Sequence, residues 1–294
     1  MQTGNMMALI KRFIRRFGFP STPVVAMPSG ADDPTFEARK RAKLARIRPL
    51  LVDGSTHESG PLFYDFLTDE LRQQFHITDT DNVSAHEYDS TASEIIRQLS
   101  NGLILDCGAG LRKTYYDNVV NFEICPYSTT DVRGVGEQLP FRSGVFDAVF
   151  SFNVLEHVRD PFAAARELSR VLKPGGRLYA VVPFLQPFHA FPHHYYNMTA
   201  QGLANLFEES LVVEKQEVNI GGMPIFMLTW VLRRWSEELP PAAREQFLNR
   251  KVSDLIGDPL EYIDQPFVKA LPKAAQFELA ATTSLFARKP ITGS

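Results

Sequence analysis

Leu103-Ile104-Leu105-Asp106-Cys107-Gly108-Ala109-Gly110 is the stretch whose reading decides the fold. Residues 102–105 make a short apolar run that reads as a buried strand. An acidic residue closes it, and two glycines come next, one residue apart. Glycine has no Cβ, so the backbone at Gly108 and Gly110 can turn sharply and press close against a ligand. In an open parallel sheet, ligands lie beyond the carboxyl ends of the strands, where this turn falls. Strand-Gly-x-Gly turns are common, so the meaning of this one rests on the residues downstream of it at set distances.

Only eight residues, 111–118, precede the next apolar run, Val119-Val120-Asn121-Phe122-Glu123. A parallel crossover usually takes about a dozen residues or more, so the first helix must be short or irregular. Glu123 stands at the end of this second strand, where an acidic side chain can accept both ribose hydroxyls of a nucleoside. Its distance from Asp106 is close to the roughly twenty residues expected for that pairing. Residues 146–153 read as a further buried strand, followed by Leu155-Glu156-His157-Val158. An amphipathic helix fits residues 161–172, with Pro161 in its first turn. Lys173-Pro174-Gly175-Gly176 stops it, and residues 177–183 give another strand.

The series Leu-Asp-Cys-Gly-Ala-Gly, Gly-Glu-Gln-Leu-Pro-Phe, Phe-Asp-Ala-Val, Leu-Glu-His-Val and Leu-Lys-Pro-Gly-Gly resembles the class I S-adenosylmethionine-dependent methyltransferases. The group it looks most like is type 11, which includes the ubiquinone and menaquinone methyltransferases. The resemblance covers residues 95–220. Dinucleotide dehydrogenases fit worse, because their third glycine would fall at Lys113.

The resemblance implies a Rossmann-like α/β three-layer sandwich around a mostly parallel sheet. It places the methionine end of S-adenosylmethionine at Gly108 and Gly110, supported by Asp106, and its ribose on Glu123. Gly136, Glu137, Gln138 and Leu139 would wrap the adenine, and Asn153 and Val154 would face the methionine part. Two departures stand out. Val135 occupies a position that is often acidic in the family, so the adenine amino group needs another acceptor, a backbone carbonyl or Asp131. The stretch from Gly110 to Glu137 is also markedly short, which predicts a sheet trimmed between strands 1 and 4.

Methyl transfer is an in-line displacement from a sulfonium, so the protein chiefly aligns acceptor, methyl and sulfur and keeps water out. A base helps when the acceptor is a hydroxyl. A histidine's unperturbed pKa lies near neutrality, which makes His157 one candidate; a helix-end histidine bonded to backbone is the alternative reading. A second cluster comes after the fifth strand and holds His189, His193, His194, Tyr195 and Tyr196 among several phenylalanines. His189, His193 and Tyr195 join His157 as catalytic candidates. The four-residue spacing of His189 and His193 suits a metal only on a helix, which Pro187 and Pro192 oppose. No carboxylate lies near them in sequence, so no metal is expected.

Farther on, Thr199 caps a helix over 201–208, residues 211–220 read as a sixth strand, and 277–288 as the last. Between them lies a helical insertion, about 222–275, whose aromatics Phe226, Trp230, Trp235, Tyr262 and Phe267 read as core.

At the other end, Leu9, Ile10, Phe13, Ile14 and Phe17 fall at helical spacing within residues 6–19, opposite Lys11, Arg12, Arg15 and Arg16. Such a helix can lie on an anionic membrane, dock on its own domain, or serve in targeting. A linker runs from there to residue 34. Helical patterns then fill 38–51, 62–75 and 88–99, in segments expected to pack over the mouth of the nucleotide site. This divides the chain into residues 1–34, an N-terminal cap at 35–94, and the methyltransferase domain at 95–294. Residues 1–48 carry ten Lys and Arg against Asp32, Asp33 and Glu37, while the whole chain of 294 residues has a net charge of −3. A basic arm on an acidic body argues against nucleic acid as partner. Two cysteines support no disulfide framework, and a cytoplasmic location, with peripheral membrane contact through 6–19, is the expectation. The acceptor is expected to be a small molecule, glycan or lipid-linked intermediate, methylated at oxygen. The rival reading is a non-catalytic binding or scaffold protein that keeps the fold.

Overall fold

The computed structural model of the chain describes residues 34–52, 62–78, 84–85, 87–189 and 193–281. The basic segment at 6–19 lies outside them. Helix α1, Pro34–Ile47, leads through a short 3-10 turn to β1, Tyr64–Asp65, and α2, Asp69–Gln74. Helix α3, Ser90–Gln98, starts where the Asp89 carboxylate accepts from the Ala92 N–H at 2.8 Å, an N-cap that satisfies one of the helix's free donors. Strands β2, Ile104–Cys107, β3, Val119–Glu123, β4, Val132–Arg133, and β5, Phe146–Phe152, come next. Helix α4, Pro161–Val171, has Asp160 as N-cap and Pro161 in its first turn. It runs directly into β6, Leu172–Val181. That strand begins inside the Lys-Pro-Gly-Gly stop because Leu172 already pairs with Phe146, before a register shift brings Arg177 opposite Ala148.

These strands form one sheet in the order β1-β4-β3-β2-β5-β6, every pair parallel. A parallel sheet covered on both faces buries both sides of its strands, which is why β2 and β3 are buried throughout. Leu105, Val120, Phe122, Phe146 and Val149 face one core, shared with Ala164, Ala165 and Leu168 of α4. Ile104, Val119, Ala148 and Phe150 face the other, shared with Ala92 and Ile96 of α3. This is the expected Rossmann-like three-layer arrangement.

The short connection behaves as expected: residues 108–118, between β2 and β3, contain no helix. The layer it fails to supply comes from the N-terminal segment. Leu44 and Ile47 of α1 enter the first core, and Lys43, fully buried, donates to the Val119 carbonyl at 2.6 Å and to Asp131 at 2.9 Å. Asp131 also accepts from the Asn121 N–H at 2.9 Å and from the Tyr115 hydroxyl. Burial pushes the Lys43 pKa down, and the facing Asp131 charge opposes it. The trimmed edge is likewise extended from the N-terminal side, where Tyr64 pairs with Val132 and Asp65 with Arg133.

Three expectations are corrected. Residues 62–75 are not one helix: β1 occupies Tyr64–Asp65 because the open edge of β4 offers partners, and only α2 is helical. Residues 211–220 form no strand, and nothing of the sheet runs beyond β6 among the described residues. The last strand, expected from 277, is replaced where the structure describes it: Phe277 and Glu278 end a helix, and residues 282–294 lie outside the described part.

After α5, Ala200–Asn205, come α6, Pro224–Glu238, α7, Pro241–Leu248, and the short α8, Val252–Leu255, α9, Pro266–Lys269, and α10, Lys273–Glu278. These build a third core. Trp235 stacks on Phe247 at 5.5 Å, Phe267 is buried between helices, and Arg234 reaches Glu278 at 2.7 Å. Among the described residues, no helix is long and apolar enough to cross a membrane.

Removing the amine from the buried Lys43–Asp131 pair leaves an uncompensated carboxylate. Lys43→Ala is expected to lower unfolding free energy by about 3–5 kcal/mol in denaturant titration. A loss below about 1 kcal/mol would show that the pair does not hold α1 in place.

Candidate active site

The turn after β2 has the conformation its glycines suggested. Gly108 has φ +75° and Gly110 φ +63°, in the left-handed region. A Cβ at Gly108 would sit 2.2 Å from Val154 Cγ2, and one at Gly110 would sit 2.4 Å from the Ser84 carbonyl oxygen. Both positions are therefore closed to other residues by strain and by space together.

Two acids flank the turn. Asp106 is fully buried; its Oδ2 accepts from the Tyr88 hydroxyl at 2.6 Å and from Arg112 Nε at 2.9 Å. Its Oδ1 has no hydrogen-bond partner among the described residues. Burial raises the Asp106 pKa, against the pull of Arg112. Glu123 Oε2 accepts from the Gly110 N–H at 2.7 Å, and Oε1 accepts from Ile124 N–H at 2.7 Å and Cys125 N–H at 3.3 Å. Burial raises the Glu123 pKa, and these amides draw it the other way. The chain also covers the turn: the Leu111 N–H donates to the Ser84 carbonyl at 2.7 Å, and the Arg112 guanidinium lies 4.2 Å over the Tyr88 ring. Sequence patterns give Tyr88, Ser84 and Arg112 no special standing, since their part arises only when the N-terminal segment folds back.

The 136–139 segment lies beside this turn. Gly136 has room around it, with the nearest neighbours of a Cβ at 3.8 Å. The Glu137 carboxylate accepts from the Arg159 N–H at 2.9 Å, and the Leu139 N–H donates to Glu167 at 2.8 Å. The Gln138 N–H closes a turn onto the Val135 carbonyl at 3.2 Å. Asp131 is not available to an adenine amino group, because Lys43, Asn121 and Tyr115 already hold its oxygens in the core. Asn153 ends β5 at φ +54°, an uncommon conformation for a residue with a side chain, and directs Val154 onto Gly108.

The histidines divide into two groups. His157 and His189 come together, ring centroids 5.6 Å apart, and His194 joins them at 5.8 and 4.3 Å respectively. The His193 ring turns away: its Nε2 donates to the His76 carbonyl at 2.9 Å, and it stacks on Tyr195 at 5.1 Å. His193 reaches the first group only through its carbonyl, which accepts from His157 Nδ1 at 2.9 Å. Burial, then the neighbouring His189, brings the His157 pKa down to about 4, so its ring is neutral at neutral pH. Glu156 belongs to the Leu-Glu-His-Val motif, which by itself gives it no role. It is fully buried, neither carboxylate oxygen has a hydrogen-bond partner among the described residues, and burial pushes its pKa up to about 8. At the start of α4 an open groove of about 610 Å³ is lined by Phe75, Arg159, Phe162, Tyr196, Met198 and Leu206, among others.

Residues 105–180 match the family model described as a methyltransferase domain, Methyltransf_11. An uncharacterized Escherichia coli protein, YafE, is 33% identical over 135 residues, covering 39% of this chain and 61% of that protein. The ubiquinone biosynthesis O-methyltransferase of Xanthomonas oryzae is 46% identical over 48 residues, covering 16% of this chain and 20% of its own. The demethylmenaquinone methyltransferase of Mycolicibacterium vanbaalenii is 51% identical over 47 residues, covering 16% and 21%. The chain thus spans less than two thirds of YafE and about a fifth of each quinone methyltransferase.

The glycine geometry makes a paired prediction. Gly108→Ala should destabilise the protein by roughly 1–3 kcal/mol, the usual range for a strained backbone position. Gly136→Ala should change it by less than about 1 kcal/mol. Equal effects in thermal or denaturant unfolding would show that the turn is not held as described.

Proposed function

We propose, from the match of residues 105–180 to the methyltransferase domain model, that the protein is an S-adenosylmethionine-dependent methyltransferase. One observation carries the reading. The glycine turn and Glu123 stand side by side at the carboxyl ends of the adjacent parallel strands β2 and β3, where such sheets bind nucleotides. The residues suit the cofactor: Gly108 and Gly110 carry no side chain at the turn, Asp106 has an unused oxygen, and Glu123 has two acceptor oxygens that a ribose would take over in part from the Gly110, Ile124 and Cys125 amides. Asp106, Gly108 and Gly110 would hold the methionine end, Glu123 the ribose, the 136–139 backbone the adenine, and Asn153 and Val154 the side nearest sulfur. Bound there, the cofactor supplies a methyl group on a sulfonium, already activated for displacement.

This chain then has to bring an acceptor into line. The acceptor in this reading is a small molecule, glycan or lipid-linked intermediate, taken through oxygen. Similarity to the quinone methyltransferases supports a small-molecule acceptor, and the groove at the start of α4, with Phe75, Phe162, Met198 and Leu206 in its lining, suits an apolar or aromatic body. The Glu156–His157–His189 group handles the acceptor hydroxyl. His157 and His189 are the base candidates, and the His193–Tyr195 stack forms the wall toward α2. A second reading, a binding protein that keeps the fold without catalysis, draws support from one observation: Ser84 and Arg112 cover the turn, and backbone amides engage Glu123. No nucleic-acid partner is proposed, and a location in the cytoplasm, with residues 6–19 meeting the membrane surface, belongs to the same proposal.

Calorimetry with S-adenosylmethionine and S-adenosylhomocysteine separates the two. Hydrogen bonds to a charged group contribute about 1.5–3 kcal/mol, so Glu123→Ala should weaken binding about tenfold to a hundredfold. Absence of binding to the unaltered chain at millimolar cofactor would sink the enzyme reading.

A further inference from the structure

We infer that Glu156, His157 and His189 form a binding site for one divalent transition-metal ion of the zinc(II) class. One ligand atom from each of the three residues lies within 4.8 Å of the others. Glu156 and His157 come just after β5, while His189 comes from the loop after β6, so strand pairing brings the set together. Sequence neighbours offered the loop histidines no carboxylate, and the fold supplies one.

The hydrogen bonds determine which atoms face inward. A carbonyl oxygen can only accept, so His157 Nδ1, 2.9 Å from the His193 carbonyl, carries a proton. His189 Nδ1, 2.8 Å from the Pro187 carbonyl, carries one for the same reason. In the neutral rings this leaves both Nε2 atoms as bare acceptors. Metal-ligating histidines are commonly oriented in this way, by a carbonyl on the other nitrogen. Glu156 Oε1 lies 3.6 Å from His157 Nε2, and neither of its oxygens meets a donor among the described residues. With Glu156 in its carboxylate form, buried beside two half-buried rings, the three groups offer three acceptors to one point, an arrangement a cation would satisfy.

The chemistry of the donors selects the ion. Two imidazoles and one carboxylate suit zinc, manganese, iron or cobalt, whereas magnesium prefers oxygen and water. Bonds of about 2.1 Å in a tetrahedral site hold donors about 3.4 Å apart, near the separation of Oε1 and His157 Nε2. His189, on a loop, closes the remaining distance. Three protein ligands leave a fourth position open to water or to an acceptor oxygen, as in catalytic zinc sites. Metal binding does not depend on the methyl-transfer reading. Its use, lowering the pKa of an acceptor hydroxyl in place of a histidine base, rests on that reading.

The test uses the full chain, stripped of metal with a chelator and titrated with zinc(II), with magnesium(II) in a parallel arm. One zinc ion should bind per chain and raise the thermal unfolding midpoint, with magnesium at least about tenfold weaker. Glu156→Gln and His189→Ala should each weaken zinc binding by about a hundredfold or more and abolish the thermal shift, since even outer-shell changes cost tenfold to a hundredfold. His193→Ala, which keeps the carbonyl that orients His157, should bind zinc within about threefold of the unaltered chain. Cobalt(II) should give a tetrahedral absorption spectrum that the first two variants lose. Absence of stoichiometric zinc, or zinc binding that survives either Glu156→Gln or His189→Ala, overturns the assignment; in the first case a proton alone joins Glu156 to His157. S-adenosylmethionine calorimetry on the metal-free chain is a separate readout, so failure of the metal site and failure of the cofactor site remain distinguishable.

Discussion

Eleven residues, 108–118, must carry the chain from the end of β2 to the start of its parallel neighbour β3. That is too little for a helix of useful length to cross the sheet, and much of the structure answers to this limit. One face of β3 and β4 would otherwise lie open. Helix α1 covers it from the N-terminal side, with Leu44 and Ile47 in the core and Lys43 bonded to Asp131. A buried ion pair is weak evidence for net stability, but it fixes register, because neither charge can be left alone in the core. The N-terminal segment is therefore a working layer of the sandwich as well as a cover for the site.

The same limit shapes the site. Without a helix after the turn, Ser84, Tyr88 and Arg112 lie directly against Asp106 and Gly110. Glu123 uses its carboxylate to gather the amides of Gly110, Ile124 and Cys125, which holds the ends of β2 and β3 together. A ribose arriving at Glu123 must exchange some of these bonds. Cofactor binding and the position of the Ser84 and Tyr88 cover are thereby linked through the Gly110 amide.

Local patterns made much of this legible in the sequence. The apolar runs of β2, β3 and β5, the Asp160–Pro161 start of α4, the helix at 88–99 and the glycine turn are each set by a few neighbouring residues. The parts that escaped depend on distant partners. Tyr64 and Asp65 become a strand only because β4 is left with an open edge, whereas residues 211–220 carry strand composition yet pair with no strand among the described residues. His189 and His193 look equivalent in the chain, yet one ring meets His157 while the other turns to the His76 carbonyl. Glu156 was hidden for a similar reason, since its burial, and its lack of a donor among the described residues, arise only in the fold, where the Tyr195 N–H reaches its carbonyl.

The central claim is that S-adenosylmethionine binds at the turn between Asp106 and Gly110. Amide hydrogen exchange with and without saturating S-adenosylhomocysteine tests it most directly. Protection should rise in residues 84–85, 87–88, 107–112, 123–125 and 136–139 together, because these backbone groups surround or close the same turn, while α7 and α9 remain unchanged. Unaltered exchange throughout those segments at saturating ligand, or protection confined to the α6–α10 helices, would contradict the account.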